Sequence, residues 1–253
     1  MDHHTALAAK RDTGVALLDR ARRAVEAQLT ATIPLAQSAA TRRPRNGAAT
    51  AAEILAAAHK EFAARGFAGG RMDRIAQRAQ VNKALIYHHY TSKEDLFLAV
   101  LEHAYERARL PEQELHLDQI EPREAMQRLV EFTFDSFVKD RTFIKLLNDE
   151  NMHGAVHLKQ SKRIAEMHSP LLTTMRKILA RGGADGVFRV DLDPMQTWIS
   201  IAALSYFYFS NIHTLSTIFN RDFDTDEAHA LRRRHVVDLI LSALEARPLG
   251  GSE

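Results

Sequence analysis

From residue 50 onward the apolar positions recur at intervals of three and four, which is the period of a helix rather than the alternation of a strand. Ile54, Leu55, Ala58 and Phe62 fall on one face of a helix predicted over 51–65. Thr50 stands in the N-cap position with Glu53 in capping-box register, and Gly66 closes the helix. Next, Met72, Ile75, Ala76 and Ala79 give a short helix, Met72–Ala79, an inward face. Residues 80–82 form a turn, and Asn82 caps a second short helix over 83–90. In that helix Leu85 and Ile86 turn to the core, and Lys83, Ala84, Tyr87 and His88 face outward. The small side chain of Ala76 lets the two helices cross closely.

Ser92, with Asp95 three residues later, caps a longer helix to about Arg109, whose continuous apolar face is Leu96, Phe97, Val100, Leu101 and Tyr105. Further amphipathic stretches follow at 122–139, 141–152, 155–181 with Pro170 inside, 194–219 and 226–246. Pro122 and Pro194 suit first helical turns, and Gly182-Gly183 ends the third stretch. Strand signal is nearly absent, so the fold class is all-α. Upstream, Val15, Leu18, Val25 and Leu29 repeat at helical spacing until Thr32-Ile33-Pro34 interrupts them. Thr41-Arg42-Arg43-Pro44-Arg45-Asn46-Gly47 then mixes breakers with three arginines and reads equally as an arm on a polyanion or as a solvated linker. The expected domains are 1–45, an extension and basic linker; 46–109, three helices plus a connecting helix; and 110–253, a helical bundle.

The apolar fraction of 45% and charged fraction of 26% are those of an ordinary globular chain. Cysteine is absent, which excludes disulfides and thiolate metal sites. The start, Met1-Asp2-His3-His4, does not read as a secretory leader, and no run reaches the roughly 18 apolar residues of a membrane span. A cytoplasmic location without membrane contact is expected. Charge is unevenly spread: residues 1–109 carry 17 Lys and Arg against 11 Asp and Glu, whereas 110–253 carry 17 against 21. A basic first part suits a polyanion at the N-terminal end.

Two short helices joined by a three-residue turn make a helix-turn-helix, and its second helix fits the roughly 12 Å major groove of B-DNA. The run from Gly66 to Phe97 resembles the TetR-family DNA-binding domain, most of all in Ile75-Ala76, Val81-Asn82-Lys83, Tyr87-His88 and Ser92-Lys93-Glu94-Asp95-Leu96. Gln80 departs from the glycine frequent at that position in the family. The resemblance, joined to the chemistry, gives a DNA-facing set of Thr50, Arg71, Asn82, Lys83, Ala84, Tyr87, His88 and Lys93. Lys83 and Lys93 suit phosphates, which supply affinity without reading sequence. Tyr87 reaches a phosphate or packs as an aromatic, His88 touches backbone or base, and Ala84 meets a thymine methyl. Thr50 and Arg71 add backbone contacts at helix starts.

The same resemblance implies a ligand-responsive regulator of transcription, a repressor released from a pseudopalindromic operator by a small-molecule effector. The C-terminal bundle would then hold the effector and form a homodimer. Candidate pocket residues are Phe134, Phe137, Met152, His153, Met167, Met175, Trp198 and Tyr206, and candidate dimer residues are Trp198, Ile201, Ala202, Ser205, Val236, Leu239, Ile240 and Ala243. Two alternatives stand beside this. An effector-independent DNA-binding protein would lack a cavity in the bundle. A metal-dependent all-α enzyme would use Glu150, His153 and His157, whose helical spacing suits a shared metal, although a di-iron bundle needs a second Glu-x-x-His that the chain lacks. Nucleophile-elbow, zinc-protease, phosphate-loop and dinucleotide motifs are missing too, so neither an enzyme nor a cofactor nor a resident metal is expected.

Overall fold

A computed structural model describes residues 47–246. The expected extension and basic linker, 1–45, lie outside the described residues, as does the C-terminal tail from 247. The described chain is built from ten α-helices: α1 Gly47–Gly69, α2 Met72–Ala79, α3 Lys83–His89, α4 Lys93–Gln113, α5 Pro122–Lys139, α6 Arg141–Met152, α7 Lys162–Ala184, α8 Pro194–Ser210, α9 Ile212–Ile218 and α10 Asp226–Leu244. A 3-10 turn, Leu158–Gln160, precedes α7. Among the described residues the only extended pairing is one bridge, Phe188 with Glu245.

Local chemistry sets most boundaries. The Asn82 side chain accepts the Leu85 amide at 2.7 Å and the Ser92 hydroxyl accepts the Asp95 amide at 3.0 Å, which starts α3 and α4 where the caps stand in the sequence. Pro122 and Pro194 occupy first turns. Thr50 is different. The backbone is helical back to Gly47 and Thr50 is only 3% exposed, so it is a buried interior residue of α1 and not its N-cap. Gly66, at φ 67 and ψ 177, breaks α1 as expected, and a Cβ there would collide with the Asp149 carboxylate.

Three C-terminal boundaries differ from the hydrophobic pattern. Residues 155–161 do not join α7, because Gly154 and Ala155 adopt left-handed backbone (φ 70 and 58) and reverse the chain. Gly182-Gly183 lies within α7, which ends at Ala184. Gly182 serves packing instead, since a Cβ there would strike the Phe188 ring. The stretch 194–219 breaks at Asn211, whose side-chain amide donates to the Phe207 carbonyl at 3.0 Å, giving α8 and α9.

Packing places α1, α2, α3 and the first half of α4 around one core of Ile54, Phe62, Ile75, Ile86, Leu96 and Phe97, all nearly inaccessible. Helix α5 lies at the centre of the remainder, against α7, α8 and α10, and buries Met126, Leu129, Val130 and Phe134. Arg233 of α10 clamps Asp135 and Glu131 of α5 at 2.9 and 3.2 Å. The two parts meet where α1 rests on α6.

Candidate functional site

Helices α2 and α3 form the expected helix-turn-helix. Met72, Ile75, Ala76 and Ala79 are buried, Ile86 is fully buried and Leu85 half-buried. The outward face of α3 therefore carries Lys83, Ala84, Tyr87 and His88, all exposed, with Tyr87 at 44%. An aromatic side chain left this open in a helix with only one fully buried residue has a polar tip available for a partner. Gln80 closes α2 in the left-handed region, φ 53, the conformation that glycine adopts without penalty.

The flanking cations are held differently. Lys83 pairs with Asp73 of α2 at 3.0 Å, and the hydrogen bond and charge of Asp73 push its ammonium above the ordinary lysine range. The Lys93 ammonium sits 4.6 Å over the Phe67 ring and 3.5 Å from the Ala68 carbonyl, so it is fixed at the start of α4. Arg71 has an exposed side chain, and its backbone N–H donates to Glu61 at 3.3 Å. Arg74, not singled out by the sequence, is the partner of the buried Glu61 at 2.5 Å and bonds the Gly69 carbonyl, which pins α2 to α1. Burial of Thr50 withdraws it from this surface.

Beneath the helix-turn-helix lies the junction with the bundle. The Phe67 amide donates to Asp149 at 2.7 Å, and Phe67 and Phe97 enclose the His157 ring at centroid distances of 4.5 and 4.9 Å. Glu150, 1% exposed, accepts from the His157 amide at 2.8 Å, the Leu158 amide at 2.9 Å and the His157 ring at 2.7 Å. Its carboxylate is thus consumed in ordering the 155–161 turn. His153, the C-cap of α6, is exposed and turns its ring to the Asp149 carbonyl at 2.7 Å. Glu150, His153 and His157 therefore do not converge, and no group of three metal-ligating side chains occurs among the described residues.

In the bundle a cavity of about 210 Å³ opens between α4 and α7 under the 116–118 connection. Of the sequence candidates only Met167 lines it. Phe134 and Met175 are packed at 0% exposure in the core, and Phe137 meets Tyr206 at 5.9 Å, the Tyr206 hydroxyl bonding Asn148. Met152, 85% exposed, and His153 lie on the surface. Trp198 stacks under the Arg109 guanidinium at 4.7 Å, and Arg109 does line the cavity. Arg109, Glu112, His116 and Lys177 were missed because a search for aromatic and Met residues passes over charged ones; the Arg109-x-x-Glu112 spacing was the available signal.

Ile201, Ser205, Val236 and Ile240, all proposed for a dimer, are buried within the subunit, and Trp198 and Ala202 are half-buried. Leu239 and Ala243 are exposed. On the same helices Met195, Ile199 and Phe207 of α8 and Leu231 of α10 are each at least half exposed, an apolar stripe at helical spacing.

Residues 54–100 match the family model described as bacterial regulatory proteins, tetR family, and residues 122–240 match that of the tetracyclin repressor-like C-terminal domain. The HTH-type transcriptional repressor NicS of Pseudomonas putida is 37% identical over 191 residues, covering 76% of this chain and 90% of that protein. Among solved structures, a regulatory protein in the tetR family from Rhodococcus RHA1 covers 79% of this chain and 98% of its own at TM-score 0.61 and 19% identity. FadR from Bacillus subtilis, in complex with stearoyl-CoA, covers 76% and 98% at TM-score 0.54 and 19% identity. At these identities the structural likeness is one of fold.

Proposed function

Because the chain belongs to the TetR family of bacterial transcription regulators, we propose that it is a homodimeric repressor, gripping a pseudopalindromic operator through two copies of α3 and released when a small molecule enters the bundle. The observation that carries this reading is the outward face of α3, with Lys83, Ala84, Tyr87 and His88 open beside a buried Ile86. Lys83, Lys93 and Tyr87 serve phosphates, and Ala84 and His88 approach base edges. Arg71 adds a backbone contact, and Asn82 acts through the cap that aims α3. Repression, rather than activation, follows the sense of the NicS relative.

A dimer has a physical reason: one short helix reads few bases, whereas two held about 34–36 Å apart meet successive major-groove turns. The exposed stripe of Met195, Ile199, Phe207, Leu231 and Leu239, with Ala243, supplies the contact, and the buried positions of α8 and α10 support it from beneath. Release runs through α4, whose first turn carries Lys93 and whose last turns carry Arg109 and Glu112, about 24 and 28 Å from Lys93 along the axis at about 1.5 Å per residue. A guest between α4 and α7 favours one setting of α4, and by linkage bound DNA lowers guest affinity by the same factor. No step needs a catalytic group.

The test is footprinting on genomic DNA followed by gel retardation on the protected fragment. Lys93→Ala should weaken binding to every sequence and flatten the salt slope by about one unit. Failure to retard any genomic fragment at low salt removes the proposal.

A further inference from the structure

The α4–α7 cavity is lined by one mostly buried guanidinium, that of Arg109. Arg109 is mostly buried, its guanidinium fixed face-on to Trp198 at 4.7 Å and one terminal nitrogen donating to Glu112 at 2.6 Å. Its Nε is buried with no hydrogen-bond partner among the described residues. A buried guanidinium N–H without an acceptor costs free energy, and the group as a whole presents a planar fork that matches a carboxylate. The remaining polar lining groups besides Thr174 are Lys177, a cation at the rim, the exposed Asp118, and His116, which is held in left-handed backbone at φ 47. Of the two carboxylates, Glu112 is already bound by Arg109 and Asp118 faces solvent, so the Arg109 guanidinium, whose N–H donors outnumber its carboxylate partner, is the lining group with donors to spare, and a molecule that takes them must bring an acceptor.

The apolar lining is Leu117, Met167, Pro170, Leu171 and Ile178, which suits a hydrocarbon body behind a polar head. The volume, about 210 Å³, suits a compact body. Resting on the reading of this cavity as the effector site, we infer that it takes a small organic carboxylate, held by Arg109 in competition with Glu112. The guest's carboxylate docks on the fork; the Glu112 side chain yields its place and turns to water or takes a proton from it. Burial already pushes the Glu112 carboxyl above the usual carboxylate range, which eases that exchange. Glu112 lies in the last turn of α4, so its release acts on the helix that reaches the helix-turn-helix.

The experiment uses the full chain and titrates benzoate, its neutral isostere benzamide and the cation benzylamine by calorimetry, with release from an operator fragment, obtained by selection from random DNA, read in parallel. Benzoate should bind saturably and at least about tenfold more tightly than benzamide. Glu112→Gln, which removes the resident competitor, should strengthen benzoate about tenfold, and Arg109→Met should lose it. Preference for benzylamine, equal binding of all three, insensitivity to both variants, or no saturation by about 10 mM benzoate overturns the inference. Because Arg109→Met leaves Glu112 unpaired and can unfold the subunit, Glu112→Gln decides alone if needed. Benzoate that binds as expected but leaves the DNA complex intact upholds the anion site and refutes the effector reading. Release by benzamide or benzylamine, with benzoate inert, does the reverse.

Discussion

Glu150→Ala is the sharpest test of how the two parts of the molecule are joined. The wild-type carboxylate, 1% exposed, accepts two backbone amides and one ring N–H, all within 2.9 Å. Alanine supplies no acceptor, so the His157 and Leu158 amides and the His157 ring lose their common partner. Bonds to a charged acceptor are worth about 1.5–3 kcal/mol each, but they share one group, and removing one member of a buried pair costs about 3–5 kcal/mol in all. We expect a loss in that range. Glu150→Gln keeps a carbonyl oxygen for the amides and should lose about half as much. Urea denaturation at fixed protein concentration measures both, as a fall in midpoint at unchanged slope. The effect should also reach function: with the 155–161 turn loosened, His157 no longer fills the space between Phe67 and Phe97, and operator affinity should fall while the dimer persists. A Glu150→Ala protein within about 1 kcal/mol of wild type would refute the reasoning, since it would mean that the three donors find other partners or water at little cost.

Other outcomes follow from single features. Gln80→Gly should stabilise the protein by about 1 kcal/mol in thermal denaturation, because φ 53 strains any residue with a Cβ; destabilisation would show that the glutamine side chain repays that strain. Burial lowers the pKa of His59, whose Nε2 has no hydrogen-bond partner among the described residues, and burial also lowers those of His103 and His168. With folded-state values below the unfolded ones, their contribution to stability is fully present above about pH 6.5 and is lost as pH falls through the folded values. Urea midpoints at about pH 7.5 and 5.5 should show this loss, and His59→Leu should shrink it. Ile199→Asp, on the exposed stripe, should give monomers by analytical ultracentrifugation and cost operator affinity more than about tenfold, whereas a variant that stays dimeric would move the interface elsewhere.

What the sequence by itself determined is what short-range chemistry controls. Asn82 and Ser92 cap the helices they precede because a side-chain oxygen three residues from an orphan amide needs nothing from the rest of the fold. Ile75, Ala76 and Ile86 are buried as their period requires, and the outward set Lys83, Ala84, Tyr87 and His88 follows from the same geometry. The tertiary structure decided the rest. A helix between two neighbours has two apolar faces, and nothing in the period says which meets the subunit's own core; so Ile201 and Val236 face inward while Ile199 and Leu239 face out. Glu150, His153 and His157 together have the helical spacing of a metal site, but left-handed backbone at Gly154 and Ala155 turns the chain so that Glu150 and His157 bind each other and His153 is left outside. The Arg109 cavity exists only because α7 returns beside α4 after a long excursion in sequence, and contacts made over such distances leave no local pattern to read.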